Sequence, residues 1–294
     1  MVSDIIWLSS FIQVIVNGLL MGGVYGLLAM GLGIIFGVMK IVNVAHGEFV
    51  MLGAYASFWL FYFSSGFINP FLSLPISILI GFLIGLIIYK FIVQRTIKAP
   101  ELTSLLLMFG IGIFAANSAL YFWRSEYRGI PFTLPSLSIG IATIPLVRLS
   151  ALILALIITS LFYLLFTKSY IGKAIRAVAQ DRNAAALMGI NPIHISMLAF
   201  GLGIALAFGV GSLITMIIPA IHPYMGASLG PLSFCIAVLG GLGSEKGAFI
   251  GGLIIGLIES MAGLFIEASL APAIYFIILV VVLLVKPSGL FGRG

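Results

Sequence analysis

The chain has 294 residues, 62% of them hydrophobic and 7% charged, with a formal net charge of +6 and a mean hydropathy of +1.28. So little polar surface excludes a soluble globule, and a positive excess that would point to nucleic acid in a soluble protein reports membrane orientation here. Apolar runs of about 20 residues, the length that crosses a ~30 Å hydrocarbon core, recur along the chain, and the lack of backbone partners in lipid forces them to be helices.

The expectation is an all-α polytopic membrane protein of about 8–10 transmembrane helices with Gly-broken segments, forming one domain over residues 1–294. The expected spans are 11–35, 44–63, 70–93, 101–122, 144–167, 193–218, 228–243, 247–267 and 270–286, and the short run at 228–243 is a candidate re-entrant segment. The opening MVSDIIWLSS carries Asp4 and no basic residue before the first apolar run, unlike a cleaved signal peptide, so the first span is expected to remain.

Asn17 in the first span and Asn117 in the fourth are candidates for hydrogen bonds across helices, and Asn17 also for the solute path. The motif KIVNVAHGEFVMLGAY at 40–55 brings Asn43, His46 and Glu48 to what the span order makes the inner entrance of the membrane. A polar residue within a span is costly and is by default a functional candidate. Three roles compete for these residues: lining the path, locking the first helices by hydrogen bonds, or touching a cytoplasmic partner. His46 and Glu48 are two residues apart and project differently from a helix, so they do not form a ready-made metal site, and packing or gating is favoured over direct solute contact.

With the N-terminus outside, Lys40, Lys90, Arg95, Lys98, Lys168, Lys173, Arg176, Arg182, Lys246, Lys286 and Arg293 fall on the cytoplasmic side, against Arg124, Arg128 and Arg148 outside. The exterior then receives a loop at 123–143, whose Pro131, Pro135 and alternating Leu and Ile describe an extended segment or hairpin that either caps the pore, receives a partner or merely joins two spans. The external connection 219–230 holds His222, read as a solvated loop residue.

Residues 168–194 are the one substantial polar helical stretch. Ile171, Ile175 and Val178 make one stripe and Lys173, Arg176 and Gln180 another, which predicts a short amphipathic helix. Asp181 and Asn183 are candidate N-caps for a second short helix through AAALM, and Gly189 followed by Pro192 supplies a stop. The result is a compact knob on a partner, or an interfacial helix resting on anionic headgroups.

Cys235 lies in an apolar run and reads as packing. The chain's 35 glycines predict close helix crossings, with small-residue spacings at Gly22 and Gly26, Gly33 and Gly37, Gly81 and Gly85, Gly243 and Gly247, and Gly252 and Gly256. GGLGSEKGAFIGG at 240–252 is the candidate interrupted helix, with Gly241 and Gly243 as path or gating candidates. Setting HGEFV (46–50) against KGAFI (246–250) gives a faint parallel repeat. Glu259, Glu267 and Glu101 fall near estimated span ends, where reaching water is cheap.

The ordered motifs NGLLMGGVYGLLAMGLGIIFG, IVNVAHGEFVMLGAY, GKAIRAVAQDRNAAALMGIN, VLGGLGSEKGAFIGGLIIGLIE and KPSGLFG resemble LivH-type permeases of branched-chain amino acid ABC transporters over nearly the whole chain. Nine spans and the asymmetry of the basic residues put the N-terminus outside and the C-terminus in the cytoplasm. The resemblance implies a cell-membrane protein that works with a homologous LivM-type permease, two cytoplasmic ATPase subunits and an extracytoplasmic binding protein. It also implies that 172–191 is the coupling element, with Gly172, Arg176, Ala177, Asp181 and Gly189 matching the family pattern. No cofactor is expected on this chain. It contains no GxxxxGK[ST] phosphate loop, so ATP would be bound by partner subunits.

Related permeases carry branched-chain amino acids, broader amino acids, or urea and short amides, and the sparse charge in the spans fits a net-neutral solute. Two rivals remain at this stage. A stand-alone ion-coupled transporter would use His46 or Glu48 as its titrating group. An intramembrane enzyme would need converging polar groups that three scattered histidines, His46, His194 and His222, do not supply.

Overall fold

The computed structural model describes residues 2–292 apart from 98, 141 and 219, and leaves out the side chains of 2–6, 101, 139 and 268. The orientation argument from Lys98 and Arg293, and the placing of the Glu101 carboxylate, therefore lie outside the described residues.

The chain is an all-α polytopic membrane protein. In order it forms α1 (Val2–Met39), α2 (His46–Phe63), α3 (Pro70–Phe91), α4 (Glu101–Trp123), a hairpin of β1 (Ser136–Ile139) and β2 (Ala142–Pro145), then α5 (Leu146–Lys168), α6 (Tyr170–Gln180), α7 (Arg182–Leu187), α8 (Pro192–Ile217), α9 (Met225–Gly240), α10 (Glu245–Phe265) and α11 (Ala271–Val285). Each expected span corresponds to one helix. Among the described residues, six stretches are long and apolar enough to cross a membrane: Trp7–Met39, Pro70–Arg95, Leu102–Trp123, Leu146–Lys168, Pro192–Ile217 and Glu245–Phe265. The other three spans correspond to α2, whose polar start lowers its hydropathy, and to the short apolar helices α9 and α11.

Cap chemistry sets several starts. Asn69 accepts from the Leu72 N–H at 3.1 Å ahead of Pro70, Asn191 from Ile193 at 3.0 Å ahead of Pro192, and Ser244 from Gly247 at 3.1 Å. α1 and α8 make up the buried centre, with 83% of their most apolar windows buried, against 22% for α4 and α5. α3, α4, α5 and α11 leave apolar faces exposed, as helices of a membrane domain do.

Glycine decides how closely these helices approach. α1 and α10 cross antiparallel: a β-carbon on Gly22 would lie 2.7 Å from Leu253 Cα, and one on Gly256 would lie 2.6 Å from Gly22 Cα. The pairs Gly22/Gly26 and Gly252/Gly256 thus face each other. Gly81 and Gly85 face Phe208 and Gly201 of α8, where Tyr89 and Phe200 rings sit 6.1 Å apart. Buried hydroxyls pair in this layer, Ser57 with Ser77 at 2.9 Å and Ser73 with Ser212 at 3.4 Å.

The 123–143 connection contains the hairpin, Ser136 opposite Pro145 and Ile139 opposite Ala142. Gln13 clamps it to α1, donating to Thr143 O at 2.7 Å and accepting from Thr143 N at 2.8 Å. Arg128 exchanges backbone hydrogen bonds with Ile221 at 2.9 and 2.6 Å, and His222 packs on Tyr127, so the α4–α5 and α8–α9 connections are joined.

Asn17 and Asn117 do not bridge helices. Gln13 donates to Asn17 at 3.4 Å and Asn117 donates to Ile113 O at 2.8 Å, each to a group one turn away along its own helix. Glu259 is not at a helix end either. It lies half-buried six residues before Phe265, with one carboxylate oxygen, Oε2, buried and without a hydrogen-bond partner among the described residues.

Candidate functional site

The sequence candidates fall in three places. The first surrounds the start of α2. After Met39 the chain turns at Lys40, whose φ is +57°, and the 40–45 segment folds back alongside α1. His46 donates from Nε2 to Leu28 O at 3.1 Å, and Leu28 lies eleven residues before the end of α1, about 16 Å along the helix axis. A β-carbon on Gly31 would touch both the His46 ring, at 3.1 Å, and Gly203 O of α8, at 2.9 Å. α2 therefore begins inside the molecule rather than at the inner entrance, which corrects the placing of HGEFV.

α9 begins at the same place. A β-carbon on Gly47 would overlap the backbone of Gly226 and Gly230, and one on Gly226 would overlap the Glu48 carboxylate. On the other side, a β-carbon on Gly112 of α4 would lie 3.7 Å from Glu48 Cγ. Neither α2 nor α9 has a side-chain cap at its N-terminus. The positive ends of two helix dipoles thus converge, with one carboxylate beside them. Asn43 and His46 are 2% and 0% exposed, and among the described residues both amide atoms of Asn43, Nδ1 of His46 and Oε2 of Glu48 have no hydrogen-bond partner. Such groups are rare in a packed interior. Discontinuous helices meeting at buried polar groups are the arrangement by which transporters build solute paths.

Sequence reading singled out Asn43, His46 and Glu48 but not Gly226 and Gly230, which the structure brings against this turn. Their four-residue spacing was the available signal.

The second place is the α9–α10 reversal. Gly241 and Gly243 adopt φ of +101° and +85°, conformations open to glycine, and turn the chain back so that α10 packs against α9. A β-carbon on Gly37 of α1 would lie 3.5 Å from Gly243 Cα. The interrupted helix expected at 240–252 is thus a hairpin of two helices. A cleft beside it is lined by Gly33, Gly37, Arg176, Gly243, Ser244 and Glu245, so α6 abuts the reversal.

The third place is α6 and α7. Ile175 and Val178 are buried while Ile171, Lys173, Arg176 and Gln180 are exposed. Gly172 fits where a β-carbon would overlap the Leu165 and Phe166 carbonyls. Arg176 donates to Phe166 O, and Asp181 caps α7 by accepting from Asn183 at 2.8 Å and Ala184 at 2.9 Å. Asn183 is not a cap. Ala177 is half-buried and Gly189 turns the chain with φ of +81°. The tip presents Leu187 and Met188, 89% and 82% exposed, which sequence reading passed over although two long apolar residues in a polar loop were legible. Asn17 lies eleven residues before Leu28 on α1 and is brought to none of these three places.

Residues 14–285 match the family model for the branched-chain amino acid transport system / permease component. The chain is 32% identical to the high-affinity branched-chain amino acid transport system permease protein LivH of Salmonella typhimurium, covering 96% of each chain. It is 32% identical to the corresponding protein BraD of Pseudomonas aeruginosa, again over 96% of each. A probable branched-chain amino acid transport permease protein LivH of Methanocaldococcus jannaschii is 28% identical over 90% of this chain and 88% of its own. No solved structure matches.

Proposed function

The chain belongs to the family of branched-chain amino acid transport permeases, and on that premise we propose that it forms the solute path of an ABC importer for branched-chain or related neutral amino acids. The observation that carries the reading is the meeting of α2 and α9 inside the membrane domain, at Gly47 and Gly226, among buried polar groups. A path for a zwitterion needs polar backbone and side-chain groups at depth, and helix N-termini supply them without a full buried charge.

Energy enters from outside the chain. With no phosphate loop of its own, the permease depends on two cytoplasmic ATPase subunits that bind ATP, and α6 and α7 are their dock. Leu187 and Met188 fill an apolar groove on the ATPase. Gly172, Arg176, Ala177, Asp181 and Gly189 hold the shape of the knob behind them. Closure of the ATPase pair displaces the knob, the knob presses the α9–α10 reversal through the cleft shared by Arg176, Gly243 and Glu245, and the helices pass between outward- and inward-open states. A LivM-type permease completes the path and an extracytoplasmic binding protein delivers solute to the face carrying the hairpin. The N-terminus is outside, the C-terminus cytoplasmic, and no cofactor resides on this chain.

The test is capture of the tagged chain from native membranes. Co-purification of ATPase activity supports the reading, and a chain recovered without ATPase that accumulates amino acids by itself contradicts it.

A further inference from the structure

The meeting of α2 and α9 carries an inference that rests on the permease reading and goes past it. The backbone of α9 at Gly226 and Gly230 lies so close to Gly47 that even a methyl group on Gly47 would overlap it, so nothing passes there in this conformation. On this contact Glu48 lays its carboxylate over Gly226 in the first turn of α9, at the end of the helix whose dipole favours an anion. Beside it lie Asn43 and His46, nine-tenths or more buried, with polar atoms that no protein group satisfies. Each of these unpaired atoms opposes folding in a packed interior, and the one bond from His46 to Leu28 O leaves the others unanswered. A polar solute that enters when the helices part gives them partners.

We propose that the contact between the N-termini of α2 and α9 is the gate of the solute path, and that Glu48 is its latch, holding the place on α9 that the carboxylate of a passing α-amino acid takes when the gate opens. The solute's carboxylate then faces the N–H groups of α9 and its ammonium faces the displaced Glu48. A zwitterion satisfies both poles at once, whereas a simple anion or cation satisfies only one. Exchange of one carboxylate for another keeps the helix terminus occupied throughout, so opening does not expose an unanswered pole.

The test uses the reconstituted transporter with its ATPases, second permease and binding protein, in a Cys235→Ala background. A β-carbon at Gly230 meets only ordinary contacts, 3.5 Å to Val44 O and 3.9 Å to Gly47 N. Thiols at Val44→Cys and Gly230→Cys are therefore expected to join through a short reducible bis-thiosulfonate. Joining lowers ATP-driven leucine uptake by about ten-fold or more and reduction restores it. Uptake unchanged by the link overturns the gate, and thiols that do not link overturn the contact. In parallel, Glu48→Gln in ATP-free proteoliposomes releases trapped leucine about five-fold faster than the unsubstituted chain. Release at the unsubstituted rate overturns the latch. Absence of ATP-driven uptake by the unsubstituted transporter contradicts the permease reading itself.

Discussion

The guanidinium of Arg176 donates to the carbonyl of Phe166, closing the C-terminal end of α5 over the start of the knob. This basic residue, which sequence alone offers as a partner contact, therefore builds the local fold. A cation at a helix C-terminus is favourable both by hydrogen bonding and by the dipole.

The knob is expected to separate shape from docking. Asp181→Ala removes the cap of α7 and costs about 1 kcal/mol, read as faster hydrogen exchange through 182–188. Leu187→Glu with Met188→Glu leaves exchange unchanged and abolishes ATPase co-purification, because both side chains are exposed and hold nothing in place. Unchanged co-purification in the double variant rules out this tip as the dock.

Close crossing of α1 and α10 predicts a sharp contrast between two glycines. Gly252→Val drives a side chain into the α1 backbone at Gly22 and Gly26, and overpacking of this kind costs about 1–3 kcal/mol or more. Gly110→Ala meets nothing within 4 Å and is neutral. Thermal unfolding in detergent should rank the first well below the parent and the second beside it. Equal midpoints contradict the crossing.

His46→Ala removes the donor to Leu28 O and opens a cavity among α1, α2 and α8. The combined loss is about 1–3 kcal/mol, visible as a lower unfolding midpoint. A midpoint equal to the parent's means that the His46 bond does not hold α2 at this depth.

Orientation is open to a direct check with a membrane-impermeant maleimide on intact cells, in the Cys235→Ala background. Ser138→Cys on the hairpin labels from outside, whereas Leu187→Cys labels only after the membrane is opened. The reverse pattern inverts the topology.

Much of this fold is legible in the sequence because membrane helices obey simple constraints. Apolar run length locates the helices that became α1, α3, α4, α5, α8 and α10. Amphipathic spacing and the cap residue Asp181 locate α6 and α7. What the sequence hides is depth. KIVNVA reads equally well as the end of a span or as a segment folded back against α1, and only contacts from Leu28, Gly31 and Gly203 decide between them. Small-residue spacing likewise marks Gly22, Gly26, Gly252 and Gly256 as interface positions without saying that they face each other. The candidate site is half legible for the same reason: the polar residues on α2 stand out by their cost, while their glycine partners on α9 carry no such mark.

The measurement closest to the central claim is leucine uptake into proteoliposomes holding this chain with its candidate ATPases and second permease, with binding protein supplied outside. The account predicts accumulation that requires ATP within reach of the ATPases, requires the binding protein, and is absent for this chain alone. Accumulation by this chain alone, driven by an ion gradient and collapsed by an uncoupler, would contradict it.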